Sequence, residues 1–497
     1  MIKRAVGCFL HISSLPSEQG IGCFNGHAKQ FIDFLETCGM SYWQVCPFTP
    51  TTIGDSPYQG TSAFAGNPLF INLQGLVSEQ YLKKEDIDHL RFLDTTKTDY
   101  GAIYRAYWPI FTKAHKNFSA HTHMHENFAK FCKSEAHWLN DYAMFMALKS
   151  NFGNREWIKW PKEFRIPKLA NKNLKILPQI KFDIELHKFL QWIFFEQWAK
   201  IRQYSHEKNV RIIGDMPIFV GLDSADVWAN RQLFKIKKNG EPSVVAGVPP
   251  DAFSRDGQLW GNPVFLWKCL SATGYKWWLS RIKKNLELFD VVRLDHFRGF
   301  QSTWEVDAGE KTAVNGKWEK SAGMKFFRKV RKIFPEARFI AEDLGCINEQ
   351  TKQMLNETGF PGMNVIHFAF DGRRDNKYLP HFHEKNSALY LGTHDNNTTR
   401  GWFESLPTQE CVREYLRSNC SDVTWDLIKK SFESVANLLI LTMQDILNLG
   451  SEARMNTPST TSNNWTWRVT MQQLDKLKQY KTDKYLRHLA EVYGRAP

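Results

Sequence analysis

The sequence predicts an α/β fold, a parallel sheet closed as a (β/α)8 barrel that carries residues 1–497 as one domain with insertions. Two observations point there. One local grammar recurs along the chain: an amphipathic helix, a Gly or Pro stop, then a short apolar strand. Acidic residues also recur at the carboxyl ends of those strands, the place where a barrel gathers its functional groups. A doubly wound open sheet is the rival, but such sheets usually carry a glycine-rich phosphate turn after an early strand, and this chain has none.

Taken in order, Phe31, Phe34, Leu35 and Cys38 form a helical stripe that stops near Gly39, and Tyr42 to Pro47 follow as a strand. Leu186, Phe189, Leu190, Ile193, Phe194, Trp198 and Ile201 keep helical spacing ahead of the strand Arg211 to Asp215. Trp277 to Phe289 precede Val291 to Asp295, and Met324 to Phe334 with Pro335 precede Arg338 to Glu342. Met363 to Phe370, Ala388 to Asp395 and Leu438 to Met443 read as three further strands. Seven strands are legible in this way, and an eighth of low periodicity would complete the barrel. Residues 60–181 and 219–270 are strand-poor and read as insertions on it.

Composition narrows the function classes. The chain is 42% hydrophobic over 497 residues, enough for a large core. It has no run of the roughly 20 apolar residues that a membrane span needs, and its first ten residues are too short an apolar stretch for a secretory signal. Nine scattered cysteines, with no Cys-x-x-Cys pair and no histidine spacing suited to zinc, read as reduced thiols of a cytosolic protein. The net charge is +13, and Lys159, Lys162, Arg165, Lys168, Lys172, Lys175 and Lys181 form a basic run interrupted only by Glu163. No recognition helix, RNA-binding fingerprint or zinc finger accompanies it, so a solvated face is the preferred reading over nucleic-acid binding.

Four acidic residues close predicted strands: Asp215, Asp295, Glu342 and Asp395. Any one of them could be an ordinary helix cap. Four in register make a constellation. Side chains two apart on a strand share a face, so Arg293 should set its charge beside the carboxylate of Asp295, as an anionic nucleophile requires. Glu342 and Asp343 should point apart; Glu342 ends the apolar run Phe339 to Ala341, and Asp343 is free to cap the turn before Gly345. A carboxylic acid crowded by other carboxylates resists ionisation and suits a proton donor. A nucleophile and a proton donor of this kind describe retaining glycoside chemistry, in which the two groups stand about 5 to 5.5 Å apart, a spacing that adjacent strands can supply. His394, just before Asp395, reads either as a buried structural histidine or as part of the site. Aromatic residues make up 14% of the chain, including 18 Trp, and Trp260 stands out because its loop, residues 249–263, is too polar and turn-rich for core.

RLDHFRG (Arg293 to Gly299), AEDLG (Ala341 to Gly345) and GTHDN (Gly392 to Asn396), in this order, resemble the family 77 glycoside hydrolases, the 4-alpha-glucanotransferases. SPYQGTSAFAGNPLF from Ser56, GDMPIFV from Gly214, PPDAFSRDGQLWGNPVF from Pro249 and RMNTPSTT from Arg454 carry the same resemblance, so it spans about Leu15 to Trp467. It implies a TIM barrel with inserted subdomains and no separate C-terminal β-domain. It implies Asp295 as nucleophile, Glu342 as acid/base and Asp395 as transition-state stabiliser. Tyr58, Asp215, Arg293 and His394 fall on positions that bind glucose hydroxyls near the cleaved bond, and Gln258, Trp260, Asp371, Asp251 and Asn464 on further sugar contacts. The implied activity is transfer of α-1,4-glucan segments between maltooligosaccharides or glucans, without cofactor or metal. A retaining α-glucan hydrolase and a non-catalytic glucan-binding protein are the alternatives. Departures from the family pattern are Asn397 in place of a usual Asp, Arg373-Arg374 after Gly372, and Ser462-Asn463 before Asn464; these bear on acceptor and chain-length preference.

Overall fold

The computed structural model describes residues 2–52, 54–120, 125–177, 179–250, 254–345 and 347–497. Among the described residues twelve strands fall in chain order: β1 (Ala5–Phe9), β2 (Tyr42–Gln44), β3 (Arg211–Met216), β4 (Val244–Val248), β5 (Gln258–Pro263), β6 (Val291–Leu294), β7 (Ser302–Asp307), β8 (Gly316–Lys320), β9 (Phe339–Ala341), β10 (Gly362–Val365), β11 (Ser387–Tyr390) and β12 (Leu438–Thr442). Eight of them form one parallel sheet in the order β10-β11-β12-β1-β2-β3-β6-β9. The ends of that order meet at a seam, where Ala341 N donates to Pro361 O at 2.9 Å and Met363 N to Asp343 Oδ1 at 2.7 Å. The fold is a (β/α)8 TIM barrel.

The strand the sequence hid is β1. All five of its residues are buried, and a short continuous apolar run has no period to betray it. Its neighbour β12 pairs from Ala5 opposite Leu438 to Phe9 opposite Thr442, contacts more than 400 residues apart in the chain. Gly7 is required there: a Cβ would lie 2.6 Å from the Cβ of Tyr42 on β2. Close packing also fixes Gly214 on β3, where a Cβ would sit 2.0 Å from the ring of Phe289.

The helices follow the apolar stripes. Gly26–Thr37 begins at Asn25, whose side chain accepts from His27 N and Ala28 N, and it buries Phe31, Phe34 and Leu35 before Gly39 turns the chain at φ 70°. Ile180–Glu207 buries Leu186, Phe189, Leu190, Ile193, Phe194, Trp198 and Ile201. Lys276–Leu288 and Gly323–Ile333 lead into β6 and β9.

Among the described residues, none of the barrel strands comes from 60–181 or 219–270. The first stretch is helical, with Tyr100–Ser119 and Ala136–Asn151 its longest described helices outside the one that begins at Ile180. The second is richer in strand than its sequence suggested. It supplies β4 and β5 to an antiparallel sheet of order β5-β4-β7-β8, completed by the chain after β6. Its short polar strands Gln258–Pro263 and Gly316–Lys320 alternate too weakly to announce themselves. The basic run lies on the outside of the helical stretch, with Lys162, Lys168, Lys172, Lys175 and Lys181 exposed and Lys159 paired to Glu156 at 2.8 Å. No described helix is long and apolar enough to cross a membrane.

Candidate active site

At the carboxyl end of the barrel, β3, β6 and β9 lie side by side. Asp215 stands opposite Arg293, and Leu294 opposite Ala341, so the next residues along, Asp295 and Glu342, leave adjacent strands in step. Neighbouring strands are about 4.8 Å apart, which matches the separation of a retaining carboxylate pair. Arg293, buried in the barrel, spans two carboxylates with one nitrogen: Nη1 donates to Asp215 Oδ2 at 2.7 Å and to Asp295 Oδ1 at 2.9 Å. Its Nε contacts Met363 Sδ at 3.4 Å. The same-face relation of Arg293 and Asp295 read from the sequence is therefore present in the fold.

The chain turns sharply after Asp295. His296 adopts the left-handed conformation (φ 48°), and its amide donates to Glu342 Oε2 at 2.7 Å. Leu344 N donates to Glu342 Oε1 at 2.9 Å, so both oxygens of this carboxyl are oriented by backbone. Burial pushes Glu342 up to about 7; the Arg293 charge opposes this and Asp295 reinforces it. Asp343 points away from Glu342, across to the neighbouring strand. It accepts from Met363 N and fastens the seam between β9 and β10, while Glu342 itself receives the turn's Leu344 amide.

Asp395 arrives differently. The strand expected over Ala388 to Asp395 stops at Tyr390, and Thr393 to Asn396 form a turn in which Asn396 Oδ1 accepts from Thr393 N at 2.9 Å. Asp395 is set in that turn by Asn456 Nδ2, which donates to its Oδ1 at 2.6 Å, and by Arg454 Nη2, which donates to its backbone O at 2.7 Å. Burial opposes its ionisation, yet the charge and hydrogen bond of His394, with the bond from Asn456, bring it down to about 2. His394 Nε2 lies 3.4 Å from Asp395 Oδ2. Burial lowers the His394 pKa, but the Asp395 carboxylate beside it carries it above its ordinary value.

Tyr58 joins the two halves of the site. Its ring stacks on His394 with centroids 5.0 Å apart, and its hydroxyl donates to Asp215 Oδ2 at 2.8 Å. Burial pushes Asp215 up to about 6 against the pull of Arg293. Its second oxygen, Oδ1, is buried with no partner among the described residues, an acceptor that a ligand hydroxyl can satisfy. Trp260 on β5 packs edge-on to His296 at 4.8 Å, and its Nε1 donates to Gln258 Oε1 at 3.1 Å, so the small sheet delivers both residues to the rim beside Asp295.

Two expected sugar contacts are otherwise engaged. Asp371 is paired to Arg373 at 2.7 Å and also accepts from the Arg373 amide, which ties it to one of the residues that depart from the family pattern. Asn464 spends its side chain on its own loop, accepting from Thr457 N at 2.9 Å and donating to Thr460 O at 3.0 Å. Asp251 lies outside the described residues. In compensation, the sequence reading passed over Asn456, Arg454, His296 and Trp465, the last with its ring 5.7 Å from His394 and 5.9 Å from Tyr58. The segment RMNTPSTT had marked the neighbourhood of the first two without singling them out. Among the described residues, no cluster of three or more His, Cys, Asp or Glu side chains could hold a metal ion.

The family model described as 4-alpha-glucanotransferase, glycoside hydrolase family 77, matches residues 10–473. The 4-alpha-glucanotransferase of Clostridium butyricum is 45% identical over 493 residues, 98% of this chain and 100% of that protein. That of Thermus thermophilus is 43% identical over 481 residues, 94% of this chain and 95% of that one. The structure of the amylomaltase from Streptococcus agalactiae in complex with acarbose superposes with a TM-score of 0.95 at 35% identity, covering 100% of both chains. With its barrel, its strand-end carboxylates and its whole length in common with these relatives, the chain belongs to glycoside hydrolase family 77, the 4-alpha-glucanotransferases.

Proposed function

We propose that this chain transfers α-1,4-glucan segments from a donor maltooligosaccharide or glucan to the 4-hydroxyl of an acceptor glucan or glucose, through a covalent intermediate on Asp295. The observation that carries this reading is the in-step departure of Asp295 and Glu342 from adjacent strands, with Arg293 bonded to Asp295. Arg293 holds Oδ1 of Asp295, which leaves Oδ2 to attack the anomeric carbon as the glycosidic bond breaks. Glu342, protonated in part near neutral pH, gives its proton to the departing 4-oxygen. It then takes the proton of the incoming 4-hydroxyl, which attacks the anomeric carbon and releases Asp295. Asp395 stays anionic beside the developing oxocarbenium charge, and Tyr58, Asp215, Arg293 and His394 surround the same sugar. The unpartnered Oδ1 of Asp215 supports a sugar hydroxyl at that point. The acarbose carried by the streptococcal relative supports a glucan-type ligand in this cleft. The proposed setting is the cytosol, where the eight described, unpaired cysteines would stay reduced.

Water and sugar acceptors use the same base, so the partition between them is read from products. Purified protein given maltotriose should yield glucose and longer oligosaccharides at nearly constant total reducing ends. A steady rise in reducing ends with only shorter products would make it a hydrolase. Binding of maltotriose without turnover, unchanged by Glu342→Gln, would make it a non-catalytic glucan binder.

A further inference from the structure

At the opposite end of the barrel, beneath the seam between β9 and β10, lies a cavity of about 300 Å³, within the size range of small-molecule sites. Helix Gly323–Ile333 forms one wall, and the turns that precede β9 and β10 form the others. Its apolar surface is aromatic: Phe360 lies with its ring centroid 5.1 Å from Phe339 and 5.6 Å from Phe327, and Phe334 adds a fourth ring. Its polar surface is cationic. Among the described residues, the only polar side chains on its walls are Arg328, Arg331, Arg338 and Thr358. Arg328 is engaged by Glu357 at 3.5 Å. Arg331 bonds the carbonyl of Thr358, Arg338 lies beside the Tyr42 phenol, and neither forms an ion pair among the described residues. The helix itself carries Lys325, Arg328, Lys329, Arg331 and Lys332 and no acidic residue, and near the mouth Glu336 and Glu357 are the opposing charges, so the cations outnumber them.

A neutral sugar would use this chemistry poorly: its hydroxyls could accept from the guanidinium groups, but no carboxylate or amide side chain on the walls accepts their protons, and no sugar group matches the positive charge. A flat ring would pack against Phe334 and Phe360, the two half-buried rings, and an anionic group at its end would take the guanidinium forks of Arg331 and Arg338. We infer that this cavity is a second ligand site, distinct from the glucan cleft, that binds an organic phosphate bearing a planar ring and about the size of a nucleoside monophosphate. The site also touches the catalytic strand. Phe339 begins β9, which runs to Ala341 and then Glu342, and Pro361 on the cavity wall accepts the Ala341 amide that closes the seam. The inference stands on the cavity's own residues and not on the reaction proposed for the cleft.

Calorimetric titration of the full chain with AMP, adenosine and inorganic phosphate tests it. AMP should bind saturably, with adenosine and inorganic phosphate each weaker by about tenfold or more, because each lacks one half of the recognition. Arg331→Gln and Arg338→Gln should each weaken AMP by about tenfold, the worth of one charge-assisted contact, while Lys329→Gln, which removes a charge of the same helix but no contact on the cavity wall, should weaken it by no more than about twofold. Unaltered melting temperatures of the three variants establish that the fold is kept. No binding of AMP at millimolar concentration, or AMP binding that survives both arginine substitutions, would overturn the site. Inorganic phosphate binding as tightly as AMP would overturn its ring-recognising half.

Discussion

Glu342 is poised by its surroundings. Burial lifts its pKa to about 7, so the protonated form that donates to the leaving oxygen is lost as pH rises through that value. Asp395, brought down to about 2, stays ionised throughout. The kcat/KM on maltotriose should therefore fall about tenfold per pH unit on the alkaline side of a limb centred near pH 7. A profile flat to pH 9 would contradict this role for Glu342. At this scale the sequence was most informative where a residue ended a periodic strand. Asp215, Arg293, Asp295 and Glu342 were legible because the apolar run before each fixed its place and its facing. Asn456 and Trp465 were not, because they sit in an aperiodic loop and acquire meaning only through Asp395 and Tyr58, far away in the chain. Asp371 shows the converse: motif position alone did not reveal that Arg373, two residues on, takes its carboxylate.

Among the elements, β9 and β10 are joined by a backbone bond, from Ala341 N to Pro361 O, and by a side chain. Asp343 reaches across to Met363 N, and Gly362 makes room for it, since a Cβ at that position would stand 2.8 Å from Asp343 Oδ2. Gly362→Ala should push the carboxylate off its amide and cost about 1 to 3 kcal/mol, read as a lower midpoint in urea denaturation. An unchanged midpoint would show that the seam holds without Asp343. Strand boundaries account for most of what the sequence misread here. The extension of β11 to Asp395 followed from an unbroken apolar run up to Leu391, but Asn396 captures the Thr393 amide and ends the strand in a turn. The small sheet escaped because β5 and β8 are polar, and strand pattern weakens when both faces are wetted or covered by loops.

At the scale of the whole molecule, the barrel class was legible because its grammar repeats, and β1 was the exception because its five residues, buried on both faces, show no period. That strand is completed by the far end of the chain. Arg495, fully buried, donates to the carbonyls of Ala5, Phe432, Ser434 and Ala436, fastening the C-terminal segment beneath β1 and β12. Such long-range closure has no local signature. What the closed barrel achieves is to bring Asp215, Asp295, Glu342 and Asp395 to one end, from segments spread over 180 residues of chain, and to leave Asp295 and Glu342 side by side. The claim that rests on this most directly is the covalent intermediate at Asp295, and it can be caught. A maltooligosaccharyl fluoride needs no proton on its leaving group, so the Glu342→Gln chain can still load Asp295 but lacks the base to unload it. Mass spectrometry of that variant after exposure to the fluoride should show a glycosyl adduct on the peptide that carries Asp295, and none in Asp295→Asn. An adduct on a different residue, or turnover to products of inverted anomeric configuration with no adduct at all, would contradict it.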